Sequence, residues 1–244
     1  MSEVYETDKL LAEYLLFHYG SAADVLPADG GWPQGMHEAL DFPVRTVSHF
    51  RSEQAGRSLD LGCAVGRSSF ELARSSEEVL GIDFSRAFIT AAESLAAGNR
   101  IPYERLEEGH VSMGLEACAP EGVELSRVRF EVGDAMDLSA DIGGFDRVHA
   151  ANLICRLPEP LKLIERLPNL VVAGGELVLA TPATWLASFT PTENWPLGRT
   201  RDWLVENLSE HFELAKELEE PFLIRETARK FQWSHSLVTV WRRR

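Results

Sequence analysis

From residue 58 onward, short apolar runs alternate with segments whose apolar positions follow a helical period. Five runs have the length and composition of buried strands: Ser58–Leu61, Val79–Asp83, Val128–Val132, Phe145–Ala151 and Glu176–Thr181. Three segments between them are typical of amphipathic helices: Gly66–Ser75, Arg86–Ala97 and Pro160–Leu167. Strands that alternate with helices in this way predict a parallel sheet with helices on both faces.

The two ends of the chain predict further elements around that sheet. The N-terminal part predicts a helix over Glu6–Tyr19, a loop over Ala23–Gly35 and a second helix over Pro43–Gln54. The C-terminal part predicts a helix and then two long strands paired as an antiparallel hairpin: Thr200–Glu210, Phe212–Glu226 and Phe231–Trp241. The stretch Glu104–Ser126 is interpreted as a local insertion. We expect residues 1–56 to form a helical cap on a core of residues 57–244.

Composition excludes several classes of protein. The chain has 244 residues and a net charge of −14, so no basic face for nucleic acid is expected, and Arg242-Arg243-Arg244 is interpreted as a solvated tail. Its three cysteines form no C-x-x-C pair, which fits a reducing compartment. The acidic N-terminus lacks the features of a signal peptide, and no apolar stretch is long enough to span a membrane. A cytoplasmic protein that acts without nucleic acid or membrane is therefore expected.

A glycine turn after the first predicted strand is the strongest chemical signal. The sequence Asp60-Leu-Gly62-Cys63-Ala-Val-Gly66 leads from an apolar strand into a helix. Gly62 allows a sharp turn, Gly66 allows close approach of helix and ligand, and the Asp60 carboxylate lies where it can meet an ammonium group. On the glycines alone, an ordinary strand–helix turn remains an alternative.

Polar residues at the ends of the next strands reduce the weight of that alternative. Asp83 follows Gly66 by 17 residues, at the position where a carboxylate accepts ribose hydroxyls, and Phe84 beside it can stack on adenine. Asp134, next to Ala135, can accept from an adenine amino group, and Asn152 ends the fourth strand. Since ligands of open α/β sheets bind at the carboxyl ends of the strands, these residues predict a nucleoside-containing cofactor.

The spacing of these elements resembles the class I S-adenosylmethionine-dependent methyltransferases. The chain has neither the G-x-G-x-x-G of nicotinamide cofactor sites nor the G-K-[ST] of P-loop enzymes. The resemblance implies a Rossmann-like α/β fold with a seven-stranded, mostly parallel sheet and a C-terminal antiparallel hairpin. It also implies S-adenosylmethionine as cofactor and S-adenosylhomocysteine as product. Many members carry a third glycine where this chain has Ala64.

Phrases along the whole chain resemble a narrower group. They are Tyr14-Leu-Leu-Phe-His18-Tyr19-Gly20, residues 59–73, Asn194-Trp-Pro-Leu-Gly198, Ala228-Arg-Lys-Phe-Gln-Trp233-Ser234 and Thr239-Val-Trp241. This group is the 4-mercaptohistidine (5-thiohistidine) ring-N-methyltransferases of ovothiol biosynthesis, which occur alone or as the C-terminal domain of the sulfoxide-synthase enzyme. The resemblance implies a stand-alone enzyme that methylates an imidazole nitrogen to give ovothiol A, with a separate sulfoxide synthase acting upstream. Two alternatives stay open: a methyltransferase of another small amine or thiol metabolite, and a non-catalytic regulatory protein that binds the cofactor.

Three residues of the first helix are the candidates for chemistry. His18 is predicted as a general base because its ordinary pKa of about 6.5 lies near working pH. Tyr14 and Tyr19 are predicted to orient the ring or thiolate of the acceptor. The alternative is that the helix simply packs on the sheet.

Substrate contacts are expected from two further parts of the chain. Arg229 and Lys230 are predicted to hold the acceptor's carboxylate and Trp233 its ring, together with Asn152, although an ordinary exposed hairpin turn is an alternative. Second-rank candidates for the wall are Trp185, Trp195 and Arg199. Arg67 is as compatible with a structural role as with ligand binding, and the histidines show no metal-ligand spacing.

Overall fold

A seven-stranded sheet forms the centre of the molecule, and the computed structural model describes it within residues 3–244. Met1 and Ser2, part of the predicted cap, lie outside the described residues. The strands of the main sheet are β1 Ala55–Leu61, β2 Ser76–Asp83, β5 Val128–Val132, β6 Phe145–Ala151, β7 Val171–Thr181, β8 Phe212–Arg225 and β9 Phe231–Arg243. Their spatial order is β5-β2-β1-β6-β7-β9-β8. Only β9 runs antiparallel to its neighbours, which confirms the predicted fold class.

Eight helices cover this sheet and its carboxyl edge within the described chain. They are α1 Asp8–Tyr19, α2 Ala22–Val25, α3 Gln34–Glu38, α4 Phe42–Val47, α5 Arg67–Leu72, α6 Arg86–Ala96, α7 Pro160–Leu170 and α8 Thr200–Leu208. Alternate residues of β7 enter different cores: Val178 packs in one cluster, and Leu177 and Leu179 pack in the other. Burial of both faces explains why the central strands are continuous apolar runs rather than alternating ones.

The N-terminal region differs from its prediction in two places. The expected loop over Ala23–Gly35 contains most of α2 and the start of α3. The expected helix over Pro43–Gln54 ends at Val47. Its early end has a tertiary cause: the Arg147 guanidinium donates to the carbonyl oxygens of Arg51 (2.6 Å) and Glu53 and so holds this segment away from a helical path.

The predicted insertion forms a hairpin of its own. Strands β3 Ile101–Glu108 and β4 Val111–Ala117 pair antiparallel in a separate two-stranded sheet. Arg105, on β3, is buried and donates to the carbonyl oxygen of Asp24 (2.5 Å), which ties the hairpin to the cap. An inward-facing arginine breaks the apolar alternation by which a strand is identified.

Several predicted strands extend further than expected. The strand β1 begins at Ala55 and β7 at Val171, whereas the apolar runs predicted starts at Ser58 and Glu176. Because β1 begins at Ala55, we propose that the cap ends before this residue rather than at residue 56.

Candidate functional site

A cavity opens at the carboxyl edge of β1, β2, β5 and β6, where the sequence places its polar residues. It measures about 1150 Å³ up to and including its open mouth. Ten of the predicted site residues line it: Tyr14, His18, Asp60, Gly62, Cys63, Asp83, Phe84, Asp134, Ala135 and Asn152. The cavity lies between the glycine turn and the N-terminal helices, as expected for ligands of open α/β sheets.

The glycine turn adopts left-handed backbone angles at three positions. The φ angles of Gly62, Ala64 and Gly66 are +70°, +47° and +89°. Ala64, with its left-handed backbone, stands where many relatives have glycine. Its N–H donates a hydrogen bond to the Asp83 carboxylate at 2.9 Å. Gly66 does not line the cavity, since it faces Phe130, whose ring carbon would lie 2.6 Å from an added Cβ. Gly66 therefore serves packing in this structure.

Asp83 is fixed by two backbone N–H groups at the end of β2. Its second carboxylate oxygen accepts from Ser85 N–H at 2.9 Å. Burial raises the pKa of Asp83 to about 6, against the lowering effect of these two hydrogen bonds; Asp60 and Glu6 raise it further. Each oxygen still has a lone pair for a ligand hydroxyl, because one N–H occupies only part of a carboxylate oxygen's acceptor capacity.

Asp60 lies in a buried chain of hydrogen bonds that crosses four elements. Its carboxylate binds His149 Nδ1 at 2.8 Å and accepts from Ser69 Oγ at 2.6 Å. His149 Nε2 lies 3.1 Å from Thr46 Oγ1. An ionised carboxylate only accepts hydrogen bonds, so His149 carries its proton on Nδ1. His149 also lines the cavity and was missed by sequence reasoning, because it lies within a strand rather than at its end.

His18 enters the cavity from the cap as a neutral ring. Burial lowers the pKa of His18 to about 3; Asp60 opposes this shift and Arg67 adds to it. Its Nδ1 is buried, and neither ring nitrogen has a hydrogen-bond partner among residues 3–244. Burial thus removes the pKa near 6.5 on which the prediction of a general base rested, and the catalytic role of His18 stays a prediction.

The remaining residues of the first helix divide between cavity and packing. Tyr14 lines the cavity and its ring lies 5.9 Å from that of His18 in a stacked arrangement. Tyr19 does not line it: its hydroxyl donates to the carbonyl oxygen of Val65 at 2.6 Å, which holds the helix on the glycine turn. Arg67 pairs with Glu71 at 3.0 Å and donates to the His18 carbonyl oxygen, so its contacts are structural.

Comparison with known proteins identifies this architecture. Residues 59–179, which contain the glycine turn and all four strand-end residues, match the family model described as a methyltransferase domain. The chain belongs to the class I S-adenosylmethionine-dependent methyltransferases. The predicted enzyme class and cofactor are thereby confirmed.

The names of two relatives describe different methyltransferase reactions. The ajmaline N-methyltransferase of Rauvolfia serpentina is 27% identical over 122 residues, which are 50% of this chain and 34% of the relative. The ubiquinone biosynthesis O-methyltransferase of Xanthomonas oryzae pv. oryzae is 31% identical over 157 residues, 63% of this chain and 54% of the relative. The chain thus spans about half of the second relative's length and about a third of the first's.

Solved structures agree on the fold. The N-methyltransferase NodS from Bradyrhizobium japonicum, in complex with S-adenosylhomocysteine, superposes with a TM-score of 0.53 over 96% of this chain and 98% of its own. Its sequence identity is 14%, so the likeness concerns the fold alone.

The predicted substrate residues of the C-terminal hairpin lie outside the methyltransferase cavity. Strand β8 runs parallel to β7, so its turn reaches the expected edge, but β8 is the outermost strand of the sheet. Arg229 pairs with Glu108 at 3.7 Å and Lys230 with Glu226 at 2.5 Å, both in exposed positions. Trp233 is half exposed and lies against His235. The structure does not bring these three residues to the cofactor turn.

The second-rank wall candidates also lie elsewhere. Trp185 Nε1 donates to Thr200 Oγ1 at 2.9 Å, Trp195 Nε1 donates to the Thr190 carbonyl oxygen at 2.8 Å, and Arg199 caps α8. Asn152, by contrast, lies in the cavity with a φ of +55°, and its Oδ1 accepts from Ser236 Oγ at 2.7 Å. Its amide N–H groups remain available as donors.

Sequence reasoning missed several residues of the cavity, among them three from outside the strand ends that bring aromatic or charged groups. Tyr5 and Phe189 contribute aromatic rings, and Arg156 contributes a guanidinium. The Tyr5 carbonyl oxygen accepts from Ser85 Oγ at 3.0 Å, so the N-terminal segment lies against the loop after β2. The sequence signal that could have identified Arg156 is its position, four residues after Asn152 at the same edge of the sheet.

Two further observations concern residues 3–244 as a whole. None of their His, Cys, Asp and Glu side chains group in threes that could hold a metal ion. In that same part of the chain, the helices lack either the length or the apolar character needed to cross a bilayer.

Proposed function

We propose that the protein transfers a methyl group from S-adenosylmethionine to an imidazole ring nitrogen of 4-mercaptohistidine, giving ovothiol A and S-adenosylhomocysteine. Support comes from the sequence resemblance to that group and from one observation in the cavity. The observation is the neutral His18 ring, which has no hydrogen-bond partner within the described part of the chain and stands among the aromatic side chains of Tyr14 and Phe17. Such a wall suits a flat heteroaromatic acceptor that carries a polar substituent.

The residues of the carboxyl edge fit the cofactor by their chemistry. We propose that Asp83 accepts the ribose hydroxyls, that Phe84 stacks on adenine and that Asp134 accepts from its amino group. Asp60 would face the ammonium group, and the backbone near Gly62, Cys63 and Ala135 would complete the site. When bound, S-adenosylmethionine supplies a methyl group activated on a sulfonium sulfur. The chain's contribution is to hold the acceptor nitrogen in line with the bond that breaks.

His18 acts in this proposal as a hydrogen-bond donor. A buried, unpaired N–H is costlier than an unpaired lone pair, so Nδ1 is the unprotonated nitrogen and the proton resides on Nε2. That Nε2–H can donate to the thiolate of 4-mercaptohistidine. Plain histidine has no thiolate, so it would leave the donor unpaired in the occupied cavity, a penalty that can reach several kcal/mol. The donor thus gives a physical reason for selectivity.

The acceptor must enter with its attacking nitrogen unprotonated. A protonated nitrogen has no lone pair for the methyl group, and a ring with a pKa of about 3 does not hold a proton near neutral pH. We therefore propose that the enzyme binds the minor, ring-deprotonated form of the thiolate, while Tyr14 and Asn152 orient it. In this proposal Tyr19 supports the helix, through the hydrogen bond from its hydroxyl to the Val65 carbonyl oxygen.

An acceptor panel tests the proposal. Purified protein and S-adenosylmethionine are incubated with 4-mercaptohistidine, histidine and a set of simple amines and thiols, and methylated products are detected by mass spectrometry. We expect 4-mercaptohistidine to be methylated and histidine to react at least a hundredfold more slowly. Methylation of a different amine or thiol, without methylation of 4-mercaptohistidine, would show that this other compound is the acceptor. Tight cofactor binding without turnover of any member would favour a regulatory protein.

A further inference from the structure

Arg156 is the single arginine or lysine among the described residues that line the cavity. It ends the short turn Ile154–Arg156 that follows β6. Its Nη1 donates to the carbonyl oxygens of Thr184 (2.8 Å) and Cys155 (3.1 Å), and its Nη2 donates to Thr184 Oγ1 at 3.2 Å. The guanidinium also lies over the Phe189 ring, 5.1 Å from its centre. These partners fix the side chain without neutralising it.

Ion pairs of other partly buried arginines show what Arg156 lacks. Arg45 binds Glu220 at 2.8 Å, Arg67 binds Glu71 at 3.0 Å and Arg225 binds Glu107 at 2.8 Å. Among the side chains that the structure describes, those of residues 5–244, no carboxylate lies within 4.0 Å of the Arg156 guanidinium nitrogens. Arg156 is only half-buried, so its uncompensated guanidinium remains accessible to an anion that enters the cavity.

The donors left open on Arg156 form one edge of the guanidinium. Arginine has five N–H groups, and the bonds to Thr184 and Cys155 use both of those on Nη1 and one on Nη2. The remaining Nη2–H and the Nε–H lie side by side on the edge away from Nη1, and the uncharged Tyr5 side chain is a further hydrogen-bond partner of the guanidinium. Two parallel donors of this kind match the two oxygens of a carboxylate. This edge has no anionic partner among the described side chains, so it is suited to bidentate binding of an anion in exchange for the Tyr5 hydroxyl.

The placement of Arg156 separates it from the amino-acid end of the cofactor. Arg156 lies in the turn after β6 and is bound to Thr184, beyond the end of β7, and to the side chain of Tyr5. Asp60, proposed to face the cofactor's ammonium, instead lies on β1 and is bound to Ser69 of α5. The cofactor's own carboxylate belongs beside its ammonium group, so the anion at Arg156 comes from the acceptor.

We propose that Arg156 binds a carboxylate of the methyl acceptor through its Nε and Nη2 edge. This inference rests on the proposed function, in which the anion is the α-carboxylate of 4-mercaptohistidine. It assigns to the turn after β6 the role that the sequence alone gave to Arg229 and Lys230. A carboxylate here would also neutralise the repulsion between the guanidinium and the sulfonium in a partly desolvated cavity.

Variants of Arg156 separate charge from geometry. Arg156→Gln removes the charge, and Arg156→Lys keeps it but lacks the paired donors. Arg129→Gln is the matched control, since Arg129 is exposed on the edge strand β5 and pairs only with Glu131 at 3.1 Å. Thermal melting shows whether each variant is folded, because Arg156 also holds the carbonyl oxygen of Thr184.

Kinetics and calorimetry then measure acceptor and cofactor separately. We expect Arg156→Gln to raise KM for 4-mercaptohistidine by about tenfold to a hundredfold, as expected for the loss of hydrogen bonds to a charged group. Arg156→Lys should fall between it and the wild type, and S-adenosylmethionine affinity should change less than threefold. Activity on the decarboxylated analogue, mercaptohistamine, should be the same in Arg156→Gln and wild type. Equal losses for both acceptors would overturn the proposal, and a parallel loss of cofactor affinity would assign Arg156 to the cofactor's carboxylate instead.

A binding measurement keeps this test independent of the acceptor's identity. Imidazolepropionate and ethylimidazole, the same ring with and without a carboxylate, are titrated into protein saturated with S-adenosylhomocysteine. The carboxylate-bearing ring should bind at least tenfold more tightly to wild type, and this preference should vanish in Arg156→Gln. A preference that survives in Arg156→Gln, or is absent in wild type, would contradict the anion site. An intact preference without methylation of 4-mercaptohistidine would contradict only the proposed function.

Discussion

His149 Nδ1 and the Asp60 carboxylate form a hydrogen bond of 2.8 Å in which both side chains are almost completely buried. The pair joins the end of β1 to the neighbouring β6 and sets the direction in which the carboxylate faces the cavity. His149→Ala would leave that carboxylate with Ser69 as its side-chain partner. We expect a loss of about 2–4 kcal/mol in the free energy of unfolding, because a buried charge loses a hydrogen-bonding partner.

Chemical denaturation measures this effect, and His149→Asn is its matched control. An asparagine amide can donate to Asp60 in place of Nδ1–H, so it should recover part of the loss. Equal stability of His149→Ala and wild type would contradict a structural role for the pair.

Asp83 governs cofactor affinity in this account. Asp83→Ala removes the proposed ribose contacts and should weaken S-adenosylmethionine binding by about tenfold to more than a hundredfold, from a loss of about 1.5–3 kcal/mol. Isothermal titration calorimetry measures the change. Glu131→Ala, an acidic residue exposed on β5, is the control and should bind normally. A folded Asp83→Ala protein with wild-type affinity would remove this role.

The raised pKa of Asp83 predicts proton release on cofactor binding. With a pKa of about 6, caused mainly by burial, most Asp83 carboxyls carry a proton at pH 5.5. Acceptance of both ribose hydroxyls favours the ionised form, so binding should release up to one proton at pH 5.5 and almost none at pH 8. Affinity should therefore rise with pH up to about 7 and then level off.

Calorimetry in two buffers of different ionisation enthalpy counts these protons. Asp60 and Glu6 act on Asp83 as well, so Asp83→Asn is needed to assign the proton, and the release should disappear in that variant. Proton uptake in the wild type at pH 5.5 would have the wrong sign for this mechanism.

The strand-end residues could be predicted because their positions depend on local order along the chain. Asp60, Asp83, Asp134 and Asn152 each end a parallel strand, and such ends meet at one edge whatever else the chain does. The prediction that the turn at Arg229 contacts the substrate depended instead on non-local order. Its edge was predicted correctly, but its distance from the glycine turn depends on strand order, which places β9 and β8 beyond β7.

Other parts of the site depend on contacts that no local pattern records. The helix predicted over Pro43–Gln54 ends early because Arg147, about a hundred residues later, binds its carbonyl oxygens. The pKa of His18 follows from burial beneath the folded cap, and its ordinary value therefore misled the assignment of a base. Arg156 lies in an irregular turn, where hydrophobic periodicity gives no information.

His18 should affect turnover without shaping the pH profile. A ring with a pKa of about 3 stays neutral from pH 5 to 9, so its titration adds no acidic limb in that range. His18→Ala should lower kcat for 4-mercaptohistidine by about tenfold or more, through the loss of a hydrogen bond to the charged thiolate. The shape of the pH profile of kcat should be unchanged. Any acidic limb in that profile should reflect the titration of the acceptor's ring and of Asp83.

Steady-state kinetics across this pH range check the prediction. His110→Ala, in the exposed turn of the β3–β4 hairpin, is the matched control and should behave as wild type. Loss of an acidic limb in His18→Ala would restore a general-base role for the residue.

The most direct test of the account locates the transferred methyl group. The protein is incubated with 4-mercaptohistidine and S-adenosylmethionine labelled with carbon-13 in its methyl group, and the product is examined by NMR. The account predicts a labelled methyl group with couplings to imidazole ring atoms, as required for ring N-methylation, with the sulfur free. A methyl group on sulfur or on the α-amino nitrogen, or no labelled product from active, cofactor-binding protein, would contradict it.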